Sequence, residues 1–394
     1  MQVAFDDHRY LFVNPKYKGK NIAPSDIGKP GWVNFGGDKL WPLPEGSENE
    51  QQWPGPISDA LDAGDYKLTV SEDHETCAAN LQGPPELITG LQFSRQISIR
   101  ADSPEISFRA VMKNASAHSI RWSIQSVSQY DTADRRDPAK YNHEFWAIAP
   151  TNPHSAYVGD YWVRAGLADD PSFEVNSGKF RLHWLPLENE LWLDSDAGWI
   201  AVVDDTDQFG MIERFRYEAA AEYPGKATVI FYKNGAALQL DADGTPIMRS
   251  RPGEPAPYYM EAEINSPMIG LQPGSSYAMD TEWFPVRASK KLETVTWAGV
   301  AWTPPSASFS NGTVRIVGKF GVFFPGKLVA RIFDGQGVMI SEVELRAVDP
   351  RQVVELDQTT VASANAQRVS IHLRDEQGQD RGSLGETKIS RTET

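Results

Sequence analysis

Cysteine is nearly missing from this 394-residue chain. The single thiol, Cys77, excludes an intramolecular disulfide and every metal or redox motif built from several cysteines. Also missing is any run of the roughly 20 apolar residues that a membrane-spanning helix needs, so no membrane partner is expected. Basic residues are short of acidic ones, 38 against 53, which leaves a formal net charge of −15. No field of the sign that phosphates require is therefore expected, and nucleic acid is set aside as a partner. A sustained 3.6-residue apolar repeat is absent, which argues against long helices and against a parallel sheet wrapped in them. P-loop, dinucleotide fingerprint and nucleophile elbow are missing as well. The opening Met1-Gln2-Val3-Ala4-Phe5-Asp6-Asp7 has no basic segment followed by an apolar one, so it does not read as an export signal.

What is present is strand. Hydrophobic residues at 40% and charged residues at 23% are ordinary globular composition, and the length suffices for two or three domains. Leu91–Arg100 alternates apolar and polar residues, as does Ile106–Val111, with turn residues Ala101-Asp102-Ser103-Pro104 between them; the pair predicts an antiparallel hairpin. Arg121–Val127 follows as a third strand. Further strands are expected at Gly198–Val203, Gly210–Phe215, Thr228–Tyr232 and Tyr258–Ile264, the last after a Pro/Gly-rich loop at Arg249–Pro257. A domain boundary is expected near Ala288-Ser289-Lys290-Lys291. Beyond it, about 100 residues of short strands with regular turns suggest a small immunoglobulin-like β-sandwich over 291–394, with a polar tail from Gly382 that frays.

Several segments, in order, carry a resemblance. They are Gly36-Gly37-Asp38-Lys39-Leu40-Trp41-Pro42-Leu43-Pro44, Trp53-Pro54-Gly55-Pro56, Arg95 in a strand, Asn114, and Ser128-Gln129-Tyr130-Asp131. Thr151-Asn152-Pro153-His154-Ser155, Glu222-Tyr223-Pro224, Glu261–Pro267 and Leu271–Ser275 follow, ahead of Trp283. Over roughly residues 30 to 287 the chain resembles galactose-mutarotase-like proteins. The resemblance implies an all-β fold: an antiparallel supersandwich over 1–288 whose concave face holds a sugar site, ahead of the C-terminal sandwich. The superfamily spans aldose epimerases, polysaccharide lyases and sugar-binding domains of glycosidases, so fold alone does not select the chemistry.

An epimerase needs a histidine to protonate the ring oxygen and a carboxylate to take the anomeric proton. Glu261 and Glu263 lie two apart on a strand and project from one face, which makes them carboxylate candidates. Where the family carries its histidine element, this chain has Gln129, and glutamine cannot shuttle protons; ordinary mutarotation is therefore not expected. His143 and His154 lie in an aromatic stretch with Tyr141, Tyr157 and Tyr161. One of them, with a tyrosine, suits proton abstraction from a uronic acid, with Arg135 or Arg136 neutralising the substrate carboxylate; the plainer reading is a polar loop with structural histidines. Trp32, Trp41, Trp53, Trp146 and Trp162 lie among polar and turn residues and suit stacking on sugar rings, or else fill the gap between sheets. Trp199 and Trp283 read as core. Arg95, Gln129 and Asp131 complete the expected binding set. Asp241-Ala242-Asp243-Gly244 and Asp204-Asp205-Thr206-Asp207 hold fragments of a calcium loop without its remaining ligands; calcium is the one cofactor they admit, and otherwise none is expected.

The sequence thus supports a carbohydrate-active protein, working as a lyase, epimerase or glycoside hydrolase, with a saccharide as partner. The rival is a saccharide-binding protein without catalysis, motivated by the missing histidine; a third reading makes the C-terminal sandwich a docking module for another protein. A secreted or periplasmic setting is set ahead of a cytoplasmic one only because the composition resembles exported carbohydrate-handling proteins.

Overall fold

The computed structural model describes residues 1–20, 34–46, 48–49, 51–55, 59–62, 64–235, 237–248 and 258–391. Trp32, Pro56 and the 249–257 loop lie outside the described residues. Among those described, the α-helix is a single turn, Asp59–Asp62, and the rest of the regular structure is almost wholly strand.

The chain divides into two compact units. The larger holds Met1–Ile99, Ile106–Val202 and Glu213–Trp283. Its strands form a seven-stranded and a ten-stranded antiparallel sheet. The expected hairpin is present: Leu91–Arg100 pairs with Ile106–Asn114 in the ten-stranded sheet. The next strand, Ile120–Asp131, is the centre of the other sheet, flanked by Tyr259–Asn265 on one side and by Asp38–Leu43 on the other, with Ile269–Leu271 paired to its first residues. Rings and polar groups join the two sheets across the core. Phe180 stacks on Phe231 with centroids 6.2 Å apart, and Arg95 donates to Ser126 Oγ; the Lys233 ammonium lies 2.8 Å from Asp170 in the loop ahead of Phe173–Asn176.

The polar part of this core is unusual, because charge is costly to bury unless it is paired. Arg95 forms an ion pair with Asp38 and donates to Ser126 Oγ at 2.8 Å, while Tyr130 donates its hydroxyl to Glu213. Arg95, Ser126, Tyr130 and Glu213 are all at least nine-tenths buried. The opening glycines of the sequence signature hold Asp38 in place. Gly36 has φ +79° and its Cα faces the Phe12 carbonyl so closely that a Cβ would sit 2.3 Å from that oxygen. Gly37 then donates to the same carbonyl at 2.7 Å, and its own carbonyl accepts from Gln129 N.

The smaller unit comprises Arg100–Glu105, Val203–Ile212 and the chain from Phe284 onward. Its eight strands follow the order Met339–Val348, Gly326–Phe333, Arg368–Asp375, Asp380–Arg391, Gly299–Ser310, Thr313–Val322 and Val354–Val361, with Thr294–Val295 beside Gly299–Ser310. The expected fraying tail is instead the strand Asp380–Arg391, paired with Arg368–Asp375 and, in parallel, with Gly299–Ser310. Leu384 and Ile389, two apolar residues in a polar stretch, are the side chains it buries.

Replacing Gly36 with alanine is expected to cost about 1–3 kcal/mol, since the backbone is left-handed there and the methyl meets a carbonyl. Gly178→Ala, at φ +69° with nothing within 4 Å of the added carbon, is the control for the backbone part alone. Thermal denaturation should show a clearly larger loss for Gly36→Ala; equal losses would contradict the steric assignment.

Candidate functional site

Residues paired directly across antiparallel strands point to the same side of a sheet. Glu261 lies opposite Gln129, Glu263 opposite Val127 and Asn265 opposite Gln125, so both carboxyls and three amides share one face of the seven-stranded sheet. Asp38–Leu43 adds Lys39 and Trp41 to that face, through their pairing with Val127 and Gln125. On the other flank Tyr232 and Ile230 lie opposite Glu261 and Glu263, then Glu190 and Trp192 opposite these, and Trp162 opposite Trp192. Asp38, Ser126, Ser128 and Tyr130 alternate with this set and face the core.

Glutamines hold the acid pair. Gln129 Nε2 donates to Glu261 Oε1 at 2.5 Å, and Gln125 Nε2 donates to Glu263. The two glutamates are 6% and 3% exposed. Burial pushes the Glu261 carboxyl up to about 7, against the opposing pull of the Gln129 hydrogen bond and the Lys39 charge, with Glu190 and Glu45 adding to the rise. Glu263 is raised well above the carboxylate range, by burial first and then by Glu261 beside it. Glu45 is raised too, by burial and by Glu190. The cations nearby are already engaged: Lys39 Nζ lies 3.0 Å from Asp62 Oδ1, to which the Trp41 indole also donates at 3.1 Å. Arg164 bonds Glu190 at 2.8 Å, and Trp192 Nε1 donates to the same carboxylate at 2.7 Å. Two neighbouring acids of unequal proton affinity are the arrangement that lets one donate a proton while the other accepts one.

An aromatic rim adjoins the pair. Trp162 is 45% exposed and meets Trp192 edge-on with centroids 5.4 Å apart. Tyr157 packs on the cluster of Leu43, Trp192, Ala227 and Ile230, and its hydroxyl donates to the Gly225 carbonyl at 2.5 Å. Its loop is pinned by Asp194, which accepts from Ser155 Oγ at 2.7 Å and from Ala156 N at 2.6 Å. Trp192 and Glu263 are two strands apart, about 10 Å.

Of the residues singled out from the sequence, Glu261, Glu263, Gln129 and Trp41 come together on this face, with Tyr157 at its rim. Others do not. Arg95 is spent between the sheets on Asp38 and Ser126, because its position in Leu91–Arg100 points inward. Trp53 is fully buried, 5.5 Å from the Trp41 ring, and Trp41 is itself 6% exposed; both pack rather than offer an open stacking surface. Arg135 donates to the Asp7 carbonyl at 2.8 Å and contacts His8 Nδ1 at 3.2 Å. Asp131 accepts from Ala133 N at 3.0 Å, capping a turn, and burial raises its carboxyl. His143 is exposed with its ring 4.3 Å from that of Tyr141, and the solvent-facing His154 donates its backbone N–H to Asn152 Oδ1. Trp146 stacks on His183 with centroids 4.4 Å apart. Trp199 and Trp283 are buried. Asp241 accepts from Asp243 N and Thr245 N within its own turn, and Asp205 from Lys290 N.

Gln125, Lys39, Asn265, Tyr232, Glu190 and Trp192 escaped the sequence reading. Two of them had a local signal. Gln125 is four before Gln129 and Asn265 two after Glu263, so the strand period alone puts each on the face of its neighbour. The rest reach the site through cross-strand register, which no local pattern reveals.

No family model and no curated protein matches the chain. Among solved structures, a galactose mutarotase-like protein from Lactobacillus casei is 11% identical, with 71% of this chain and 90% of that one covered and a TM-score of 0.42. A putative aldose 1-epimerase from Escherichia coli K12 is 10% identical over 58% of this chain and 71% of that one, with a TM-score of 0.34. A TPR-domain containing protein from Parabacteroides distasonis is 12% identical, with a TM-score of 0.40; 67% of this chain is covered but only 39% of that one.

The raised carboxyls fix a sign for the pH dependence of stability. Glu261 and the core residue Glu213 are each lifted from 4.5 to about 7, chiefly by burial, so between those values the folded chain keeps protons that the unfolded chain has released. Stability should therefore fall as pH rises from about 4.5 to 7, and Glu263, raised well above 4.5, acts in the same direction. Melting temperatures across that range check it, and Glu261→Gln should flatten part of the fall; a melting temperature that climbs through the window would contradict the assignment.

Proposed function

We propose that the larger unit binds a saccharide against the aromatic rim and uses Glu261 and Glu263 to move protons at the sugar's anomeric centre. The observation that carries this reading is the pair itself: two buried carboxyls two residues apart on one strand face, both raised above the carboxylate range by burial. In an epimerase-type step, ionised Glu261 takes the proton of the anomeric hydroxyl while protonated Glu263 gives its proton to the ring oxygen. The bond between the anomeric carbon and the ring oxygen breaks, a carbonyl forms, and the reverse transfers close the ring on either face. Two carboxyls then share the work that a histidine and a carboxylate divide in the family that the sequence resembles. Trp162 and Tyr157 offer flat apolar faces for the C–H patches of a sugar.

Of the two arginines offered to a uronate, Arg135 is already engaged by Asp7 and His8, which weakens the lyase reading on that side. One observation favours binding without catalysis: each carboxyl already has a glutamine partner and is nearly covered.

Polarimetry on freshly dissolved aldoses, alongside calorimetric binding, separates the two. Catalysis predicts that Glu261→Gln and Glu263→Gln each lower the rate of anomer interconversion by about 100-fold or more while binding is largely kept. Binding with no acceleration by the unaltered protein supports the non-catalytic reading; neither binding nor acceleration overturns both.

A further inference from the structure

Three amide oxygens on the acid face are left without a donor. Gln125 and Gln129 give their amide N–H groups to Glu263 and Glu261, and their Oε1 atoms are buried without a partner. Asn265 gives Nδ2 to the Ala227 carbonyl and leaves Oδ1 in the same state. These three side chains are 5%, 0% and 2% exposed. Buried polar atoms are normally satisfied, and acceptors are satisfied only by donors. The charge around them is lopsided in the matching sense. Glu45, Glu190, Glu261 and Glu263 act on one another as like charges, while Lys39 and Arg164 are engaged by Asp62 and Glu190.

We infer that the saccharide of this site bears a protonated amine, an amino sugar whose ammonium group donates to one of the buried Gln125 and Gln129 oxygens and lies against the Glu261/Glu263 pair. The inference rests on the saccharide reading above and narrows it. An ammonium has three donors and no acceptor, which is what the unfilled positions call for. A neutral hydroxyl supplies a donor but leaves the like charges uncompensated. A uronate adds a further negative charge where the cations are already held, and an N-acetyl group removes the positive one. Among the described residues no three acidic, histidine or cysteine side chains converge as the ligands of a metal ion would, so an organic cation fits better than a metal.

Calorimetric titration of the full chain at neutral pH tests this with glucosamine and galactosamine. The comparison set is glucose, galactose, the two N-acetylhexosamines, glucuronate and methylammonium. The amines should bind about tenfold or more tighter than their neutral parents, with glucuronate weakest, and added salt should shrink the difference. Glu263→Gln, and separately Gln125→Met, should reduce the preference to about threefold or less. A neutral hexose that binds as tightly as its amine overturns the inference and leaves the saccharide reading standing. Binding of methylammonium with no sugar bound in any form overturns the saccharide reading, and the amino sugar with it.

Discussion

Two like-charged carboxyls lie buried on one face of one strand, and their hydrogen bonds come from glutamines rather than from cations. That is the constraint from which the site's chemistry follows. A glutamine N–H stabilises an ionised carboxylate less than an ammonium or guanidinium does, so burial wins and the proton affinity of both groups rises. The cations within reach relieve the pair only in part, because Asp62 and Glu190 have claimed Lys39 and Arg164. What remains is a buried face of acceptors, with Glu261 raised to about 7 and Glu263 well above the carboxylate range.

The opposite face of the same strands carries the complementary arrangement. Ser126, Ser128 and Tyr130 alternate with Gln125, Val127 and Gln129 and meet Arg95, Asp38 and Glu213 between the sheets. There the charge is compensated: Arg95 has Asp38. One central strand, Ile120–Asp131, thus separates a paired polar core from an under-compensated acid face, and its pleat keeps the two apart. The Gly-Gly turn ahead of Asp38 serves both faces at once, since it places Asp38 inward toward Arg95 and Lys39 outward toward Asp62.

Burial of the acid face also explains where the expected open cleft went. Alternation in Tyr258–Ile264 predicts one exposed face, yet every residue of Tyr259–Asn265 is buried. Phe12 stacks on Tyr259 at 5.2 Å, and Trp41 sits with Trp53 and Asp62. Segments distant in the chain therefore cover the acids and leave the rim at Trp162 as the exposed aromatic surface. The tryptophans nearest the sequence signature became packing, and one placed among polar residues further on became surface.

The strand period is a local property, and it was enough to show an antiparallel β-fold and to put Glu261 and Glu263 on a common face. That glutamine stands where a proton shuttle was expected came from the resemblance to galactose-mutarotase-like proteins and not from the period. Which residues would meet that face was not local. Gln129 and Glu261 are 132 positions apart, and Arg95 and Ser126 are 31 apart. Their meeting depends on the register of strands brought together only in the folded chain. Whether a polar side chain faces a partner, a core or a ligand is decided by that register and by what covers it, because the energy of a buried charge is set by its surroundings rather than by its place in the sequence.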